Sequence, residues 1–166
     1  MSAAQDCIAR LVEESCIALF SDYRIPITRS DDIAARHDLA FCGVIGFTGD
    51  DMRGSLMLAC SREPLVVAQV STDALMRDWL AELTNQLLGR VKNRLLACGT
   101  SIYSALPVVL SGERIAPIAN QPLGHLFTMA GGVVSVWFDT ELRDDFVFAS
   151  VANPSPVVCE GETILF

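Results

Sequence analysis

Asp78, Glu82, Asn85 and Gly89 stand four, three and four residues apart in the longest helical pattern of the chain. At about 100° per residue they fall within an arc of roughly 60°, so a helix would carry them as one ridge. Two carboxylates and a carboxamide in that ridge can accept hydrogen bonds, attract a cation and, through the amide, donate as well. Leu80, Leu83, Leu87, Val91 and Leu95 lie on the other side and supply a core face, which leaves the ridge free to meet solvent or a partner. Gly89 needs its own reason, because glycine inside a helix costs about 1 kcal/mol relative to alanine. It removes a side chain where another backbone could come close. Taken alone, Glu82 and Asn85 are what any solvated helix face can carry. The longer pattern, with Pro107 in the strand that follows, is more specific.

Other reactive residue types point less far. His37 and His125 have no nearby serine or cysteine nucleophile motif and read as surface or packing residues. Gly43, Gly46, Gly49 and Gly54 lack a following Lys-Ser/Thr, which argues against a phosphate-binding loop, and hairpin geometry accounts for them. The six cysteines (Cys7, Cys16, Cys42, Cys60, Cys98 and Cys159) show no CxxC pair and no histidine at zinc-ligand spacing. They read as free thiols in or near a core, in a reducing compartment, with no metal bound. Arg90, Lys92 and Arg94 form a basic cluster that is either a solvated helix end or an attraction for an acidic partner.

The elements that must position the ridge follow from periodicity. Ile8, Leu11, Val12, Cys16, Leu19 and Phe20 at three-to-four spacing predict an amphipathic helix ending near Tyr23 to Pro26, followed by a polar stretch over 28–38. Residues 39–48 and 55–60 read as strands, joined by turn chemistry over 49–54 into a hairpin. A short helix is expected over 62–70 with Pro64 in its first turn. The long helix runs over 72–97, with Thr72 as N-cap and Gly99 as its stop. Strands are then expected over 102–110, 125–130, 133–138 and 146–151, with a loop before Gly124 and a tail from Asn153. This order predicts an α+β fold: one domain, with two long helices covering one face of a mostly antiparallel sheet.

Composition sets the frame around these elements. The chain has 166 residues, 51% of them hydrophobic and 19% charged, and its formal net charge is −8. A chain of this length buries roughly two thirds of its unfolded surface and needs neither disulfides nor metal to hold a core. Twenty acidic against twelve basic residues argue against nucleic acid or an anionic membrane as partner. The first six residues lack a basic, apolar leader, and no apolar run approaches the roughly eighteen residues of a membrane span, so a cytoplasmic location is expected. High hydrophobicity with only 7% aromatic residues suggests surface hidden against another copy or a partner.

The pattern Asp78, Glu82, Asn85 and Gly89 followed by Pro107 resembles the CheC/CheX/FliY family of response-regulator phosphatases, and within it the single-motif CheX branch. Residues 43–49 with 54–58 look like the family's hairpin, and 106–112 look like its post-helix strand. The likeness covers about residues 40–150 of a single domain spanning 1–166, and the segment 152–166 is a tail that matches nothing in the family. The resemblance implies a CheC/CheX-like fold and a substrate that is the aspartyl phosphate of a CheY-like receiver domain. It implies that Asn85 orients the attacking water and that Glu82 pairs with the receiver's active-site lysine. Asp78 and Gly89 would shape the contact. It further implies no cofactor of the chain's own, a Mg²⁺ ion in the receiver, and a homodimer formed through sheet edges. The alternative is a receiver-binding or dimerisation module without turnover.

Overall fold

The computed structural model describes residues 3–115 and 124–148, and every statement below concerns these. The first apolar stripe builds α1 (Ala3–Asp22), which buries Ile8, Val12, Cys16, Leu19 and Phe20. The helix ends in a turn that puts Arg24 at φ 59°, a left-handed conformation that costs a non-glycine residue roughly 1–2 kcal/mol. A two-residue strand β1 (Thr28–Arg29) and a 3₁₀ turn (Ile33–Asp38) capped by Asp32 then organise the polar stretch.

The expected hairpin forms from β2 (Phe41–Thr48) and β3 (Met52–Cys60), with α2 (Glu63–Val67) after it. The long helix α3 (Asp73–Ala97) has the expected ends. Thr72 Oγ1 accepts from the Leu75 N–H at 3.3 Å, and Gly99 lies at φ 84° just beyond the last turn. The remaining strands are β4 (Tyr103–Ser104), β5 (Val108–Ser111), β6 (His125–Met129) and β7 (Gly132–Leu142). All pair antiparallel in one sheet ordered β1-β6-β7-β3-β2-β4, with β5 also on β2.

The two long helices bury the main core against one face of this sheet. A smaller cluster of Leu39, Cys42, Ala59, Val133 and Trp137 fills the opposite face. The α+β arrangement therefore stands as expected, with the short α2 as a third helix.

Three strand expectations are corrected. The segment over 102–110 is two strands, because Phe47 pairs with Ser104 while Val44 pairs with Val108. Ile45 and Gly46 thus face Ala105, Leu106 and Pro107, one residue too many. The result is a bulge at a proline that has no N–H to offer the ladder. Second, β3 and β7 are longer than the apolar runs alone suggest: Met52, Arg53 and Gly54 pair with Leu142, Glu141 and Thr140. Gly54 permits this, since a Cβ there would sit 1.9 Å from the Asp139 carbonyl oxygen. Third, 146–148 form no strand, and 149–151 lie outside the described residues. The chain leaves the ladder there, with the Phe146 N–H donating to the Arg143 carbonyl at 2.9 Å and the Phe146 and Phe148 rings packed edge to face and against the main core.

Candidate functional site

The apolar spacing of α3 decides which way the ridge faces. Leu80, Leu83, Leu87, Val91 and Leu95 are all buried, joined by Met76, Thr84 and Leu88. Asp78, Glu82 and Asn85 consequently project into solvent, and Gly89 is half-buried.

Contacts at three places hold the helix at its depth. Thr84 packs directly onto Gly43 of β2, where a Cβ would lie 2.0 Å from Thr84 Oγ1. Arg90 donates to Asp22 at 2.7 Å and Arg94 to Glu14 at 2.6 Å, both on α1. The Tyr23 ring meets Trp79 edge to face at 4.9 Å between centroids. Two long helices tied at several levels to each other and to the sheet give the ridge a rigid base.

Between α3 and the strand edge runs a groove of about 350 Å³. Glu82, Asn85, Gln86, Leu88, Gly89 and Lys92 line its helical side, and Ile102 and Ser104 line the other. Three of the four expected residues are thus brought together in one concavity. Asp78 is not among the lining residues; it sits exposed one turn earlier on the helix. Pro107 stays outside the groove, in the bulge that separates β4, whose Ser104 forms part of the wall, from β5.

Sequence reasoning missed Gln86, Ile102 and Ser104 as parts of the site, and offered Lys92 only within a basic cluster read as either a solvated helix end or an attraction for an acidic partner. Gln86 had a local signal, being four residues after Glu82 on a helix face. The strand-side residues had none, because their proximity is made only by the packing of α3 over the sheet.

Charge within the groove comes from Glu82 and Lys92. Of the basic cluster, Arg90 and Arg94 are engaged with α1 acids, so Lys92 alone of the three reaches the groove, with Nζ 5.9 Å from the Tyr103 ring centre. Glu82 accepts a hydrogen bond from Gln86 Nε2 at 2.8 Å, while the Asn85 side chain makes none to any described residue. That leaves an acceptor and donor pair on Asn85 open toward the groove.

The remaining titratable groups have structural surroundings. Burial pushes the thiols of Cys16 and Cys60 far up, and that of Cys42 up to about 11, so none is a ready thiolate. Cys7, Cys16, Cys42, Cys60 and Cys98 are all free; Cys159 lies outside the described residues. His125 is pushed down by burial, opposed by Glu13, whose Oε2 lies 3.2 Å from its Nδ1. Its ring packs near Phe127, the arrangement of a packing histidine. The His37 side chain lies outside what is described. Among the described residues no group of three or more His, Cys, Asp or Glu side chains is arranged to hold a metal ion, and no helix is long and apolar enough to cross a membrane.

Residues 41–123 match the family model described as Chemotaxis phosphatase CheX, a span that contains Asp78, Glu82, Asn85, Gly89 and Pro107. Among solved structures, the fold is similar to the chemotaxis protein CheX from Vibrio vulnificus, with TM-score 0.71 at 19% identity, covering 81% of this chain and 96% of that one. A chemotaxis protein CheX from Desulfovibrio desulfuricans aligns with TM-score 0.62 at 18% identity, covering 82% of this chain and 99% of the other. The CheX of a CheX–CheY–BeF3–Mg complex from Borrelia burgdorferi aligns with TM-score 0.60 at 17% identity, covering 76% and 93%. At these identities the likeness to the solved structures is one of fold. No curated protein matches the chain at a significant level.

Proposed function

The chain belongs to the CheX family of chemotaxis phosphatases, and from that premise we propose that it hydrolyses the aspartyl phosphate of a CheY-like receiver domain. The observation that carries this reading is the exposure of Glu82 and Asn85 side by side on a rigid helix, over a groove open to a partner. That a CheX from Borrelia burgdorferi forms a complex with CheY, BeF3 and Mg supports a receiver as the partner.

An acyl phosphate is already activated, so the catalyst's task is to place a water in line with phosphorus. Water attacks phosphorus, the bond to the aspartyl oxygen breaks, and carboxylate and inorganic phosphate leave. Asn85 holds the water with its carboxamide, while the receiver's own Mg²⁺ and lysine carry the charge that shifts. Glu82 pairs with that lysine and docks the helix. A carboxylate would be a poor nucleophile toward a phosphate dianion, which fits a docking role. Asp78, one turn earlier, contacts the receiver at the periphery, and Gly89 leaves room for its backbone. The reaction belongs in the cytoplasm, with the chain contributing no cofactor.

The test is to incubate phosphorylated receivers with the protein and follow phosphate release. Tight binding without acceleration by any receiver would instead favour a docking module. Glu82→Ala should raise the half-saturating receiver concentration about tenfold or more, the loss of one charge-assisted contact, with little change in the folded state. Unchanged half-saturation would remove Glu82 from the docking surface.

The net charge of −8 gives no long-range attraction to an acidic receiver, so recognition is local, through the ridge and Lys92. A second copy is proposed on the outer edge of the sheet, where Leu106 is 87%, Val108 61% and Leu110 55% exposed at a strand that pairs on one side only among the described residues. Sedimentation should give a dimer for the wild type and a monomer for Val108→Lys; a wild-type monomer would leave that edge uncovered and refute the pairing.

A further inference from the structure

The Glu82 carboxylate is not left to find its own orientation. Gln86, one turn on, donates from Nε2 to Glu82 Oε1 at 2.8 Å, and its own Oε1 accepts from the Tyr23 hydroxyl at 3.0 Å. The amide is thereby oriented: with its oxygen committed to Tyr23, its NH₂ must face Glu82. Glu82 Oε2 has no partner among the described residues and is the oxygen left for a cation from outside.

Tyr23 is itself held from three sides. It caps α1 in a turn in which the Ile25 N–H donates to the Phe20 carbonyl at 3.0 Å and the Arg24 N–H to Ser21 at 2.9 Å. With Arg24 at φ 59°, this is a Schellman turn, and the apolar contact that accompanies such turns is available from Ile25 and Phe20, both fully buried. Edge-to-face packing on Trp79 of α3 fixes the ring, and the neighbouring Asp22 binds Arg90. The end of one helix therefore reaches across to orient a side chain on another.

We propose that Tyr23 and Gln86 are positioning residues that present Glu82 to the receiver in a single rotamer. This rests on the docking role of Glu82 proposed above. A long exposed glutamate otherwise pays rotamer entropy when it forms an ion pair. Prior tethering of Oε1 removes part of that cost before the partner arrives, which is preorganisation of the docking contact. The effect falls on receiver affinity, because in the proposed mechanism Asn85 holds the attacking water and Gln86 is committed to Glu82 and Tyr23.

The variants are Gln86→Met, which keeps the volume and removes both hydrogen bonds, and Tyr23→Phe, which keeps the Trp79 contact and removes the hydroxyl. The probe is a CheY-type receiver phosphorylated with acetyl phosphate. We expect Gln86→Met to raise KM about three- to fivefold and Tyr23→Phe about twofold, with kcat little changed and thermal midpoints unmoved. Wild-type KM in Gln86→Met, or a fall in kcat alone, overturns the proposal. Three-bond couplings of the Glu82 side chain provide a readout that needs no activity: one rotamer in the wild type, averaging in Gln86→Met. If the wild type releases no phosphate from any receiver, the phosphatase reading fails by itself. The couplings then still decide whether the tether exists, and averaging in the wild type refutes it.

Discussion

Asn85→Ala should lower the acceleration of receiver dephosphorylation by on the order of 10²-fold or more while leaving receiver binding near the wild-type value, as read by phosphate release and by titration with the phosphorylated receiver. The asymmetry follows from the division of labour in the groove. In the proposed mechanism Glu82 makes the charged contact, whereas Asn85, whose carboxamide no described residue occupies, holds the water. Asn85 is exposed, so alanine there removes no core packing, and surface changes of this kind usually stay within about 0.5 kcal/mol. An unchanged thermal midpoint would therefore accompany the lost rate.

Two further substitutions separate geometry from chemistry. Asn85→Asp keeps the shape but brings a negative charge toward a phosphate dianion and loses the N–H donors, so it should be as inactive as alanine. Asn85→Gln keeps the group but moves it outward by one methylene, and displacement on the order of 1 Å can cost about 10²-fold in a positioning mechanism. Equal rates for wild type and Asn85→Ala would sink the catalytic reading and leave a binding module.

The helix that carries these groups was the most legible part of the chain. Its apolar face repeats over five residues from Leu80 to Leu95, and both ends have local chemistry: a threonine that can cap and a glycine that can reverse the chain. Local signals failed where a strand is defined by its neighbour. Arg53 and Gly54 look like turn residues, yet they lie in the ladder because β7 runs alongside and Arg53 finds Glu141 across the pair, with Nε to Oε2 at 2.8 Å. The proline bulge between β4 and β5 was hidden for the same reason, since an offset of one residue becomes visible only against β2.

The site divides along the same line. Glu82, Asn85 and Gly89 share one helix face, and helical periodicity brings them together before any tertiary contact is known. The opposite wall from Ile102 and Ser104 comes from packing α3 across a sheet edge, and the Tyr23 tether comes from helix pairing at a separation of 63 residues. Neither leaves a trace in local spacing.

Of the contacts that hold α3 at its depth, the tightest against the sheet is Thr84 on Gly43, and this gives the second large expected effect. Gly43→Ala should destabilise the fold by about 1–3 kcal/mol, the usual range for overpacking, and lower the thermal midpoint by roughly 2–12 °C in a chain of this size. Gly43 lies in β2 beneath the middle of α3, and an added Cβ would fall 2.0 Å from Thr84 Oγ1 and 3.0 Å from Thr84 Cβ. Thr84 cannot simply swing aside, because it is fully buried and its hydroxyl donates to the Leu80 carbonyl at 2.7 Å. Relief must come from moving the helix away from the sheet. That motion widens the groove between Asn85 and the Ile102 and Ser104 wall, so phosphatase activity of the folded fraction should fall as well. The cause is testable by a cycle: Thr84→Ala removes the hydroxyl and methyl that meet the new Cβ, and should restore most of the stability lost in Gly43→Ala. A double variant no more stable than Gly43→Ala would place the strain elsewhere, and with it the reason that the ridge stands at its observed height above the sheet.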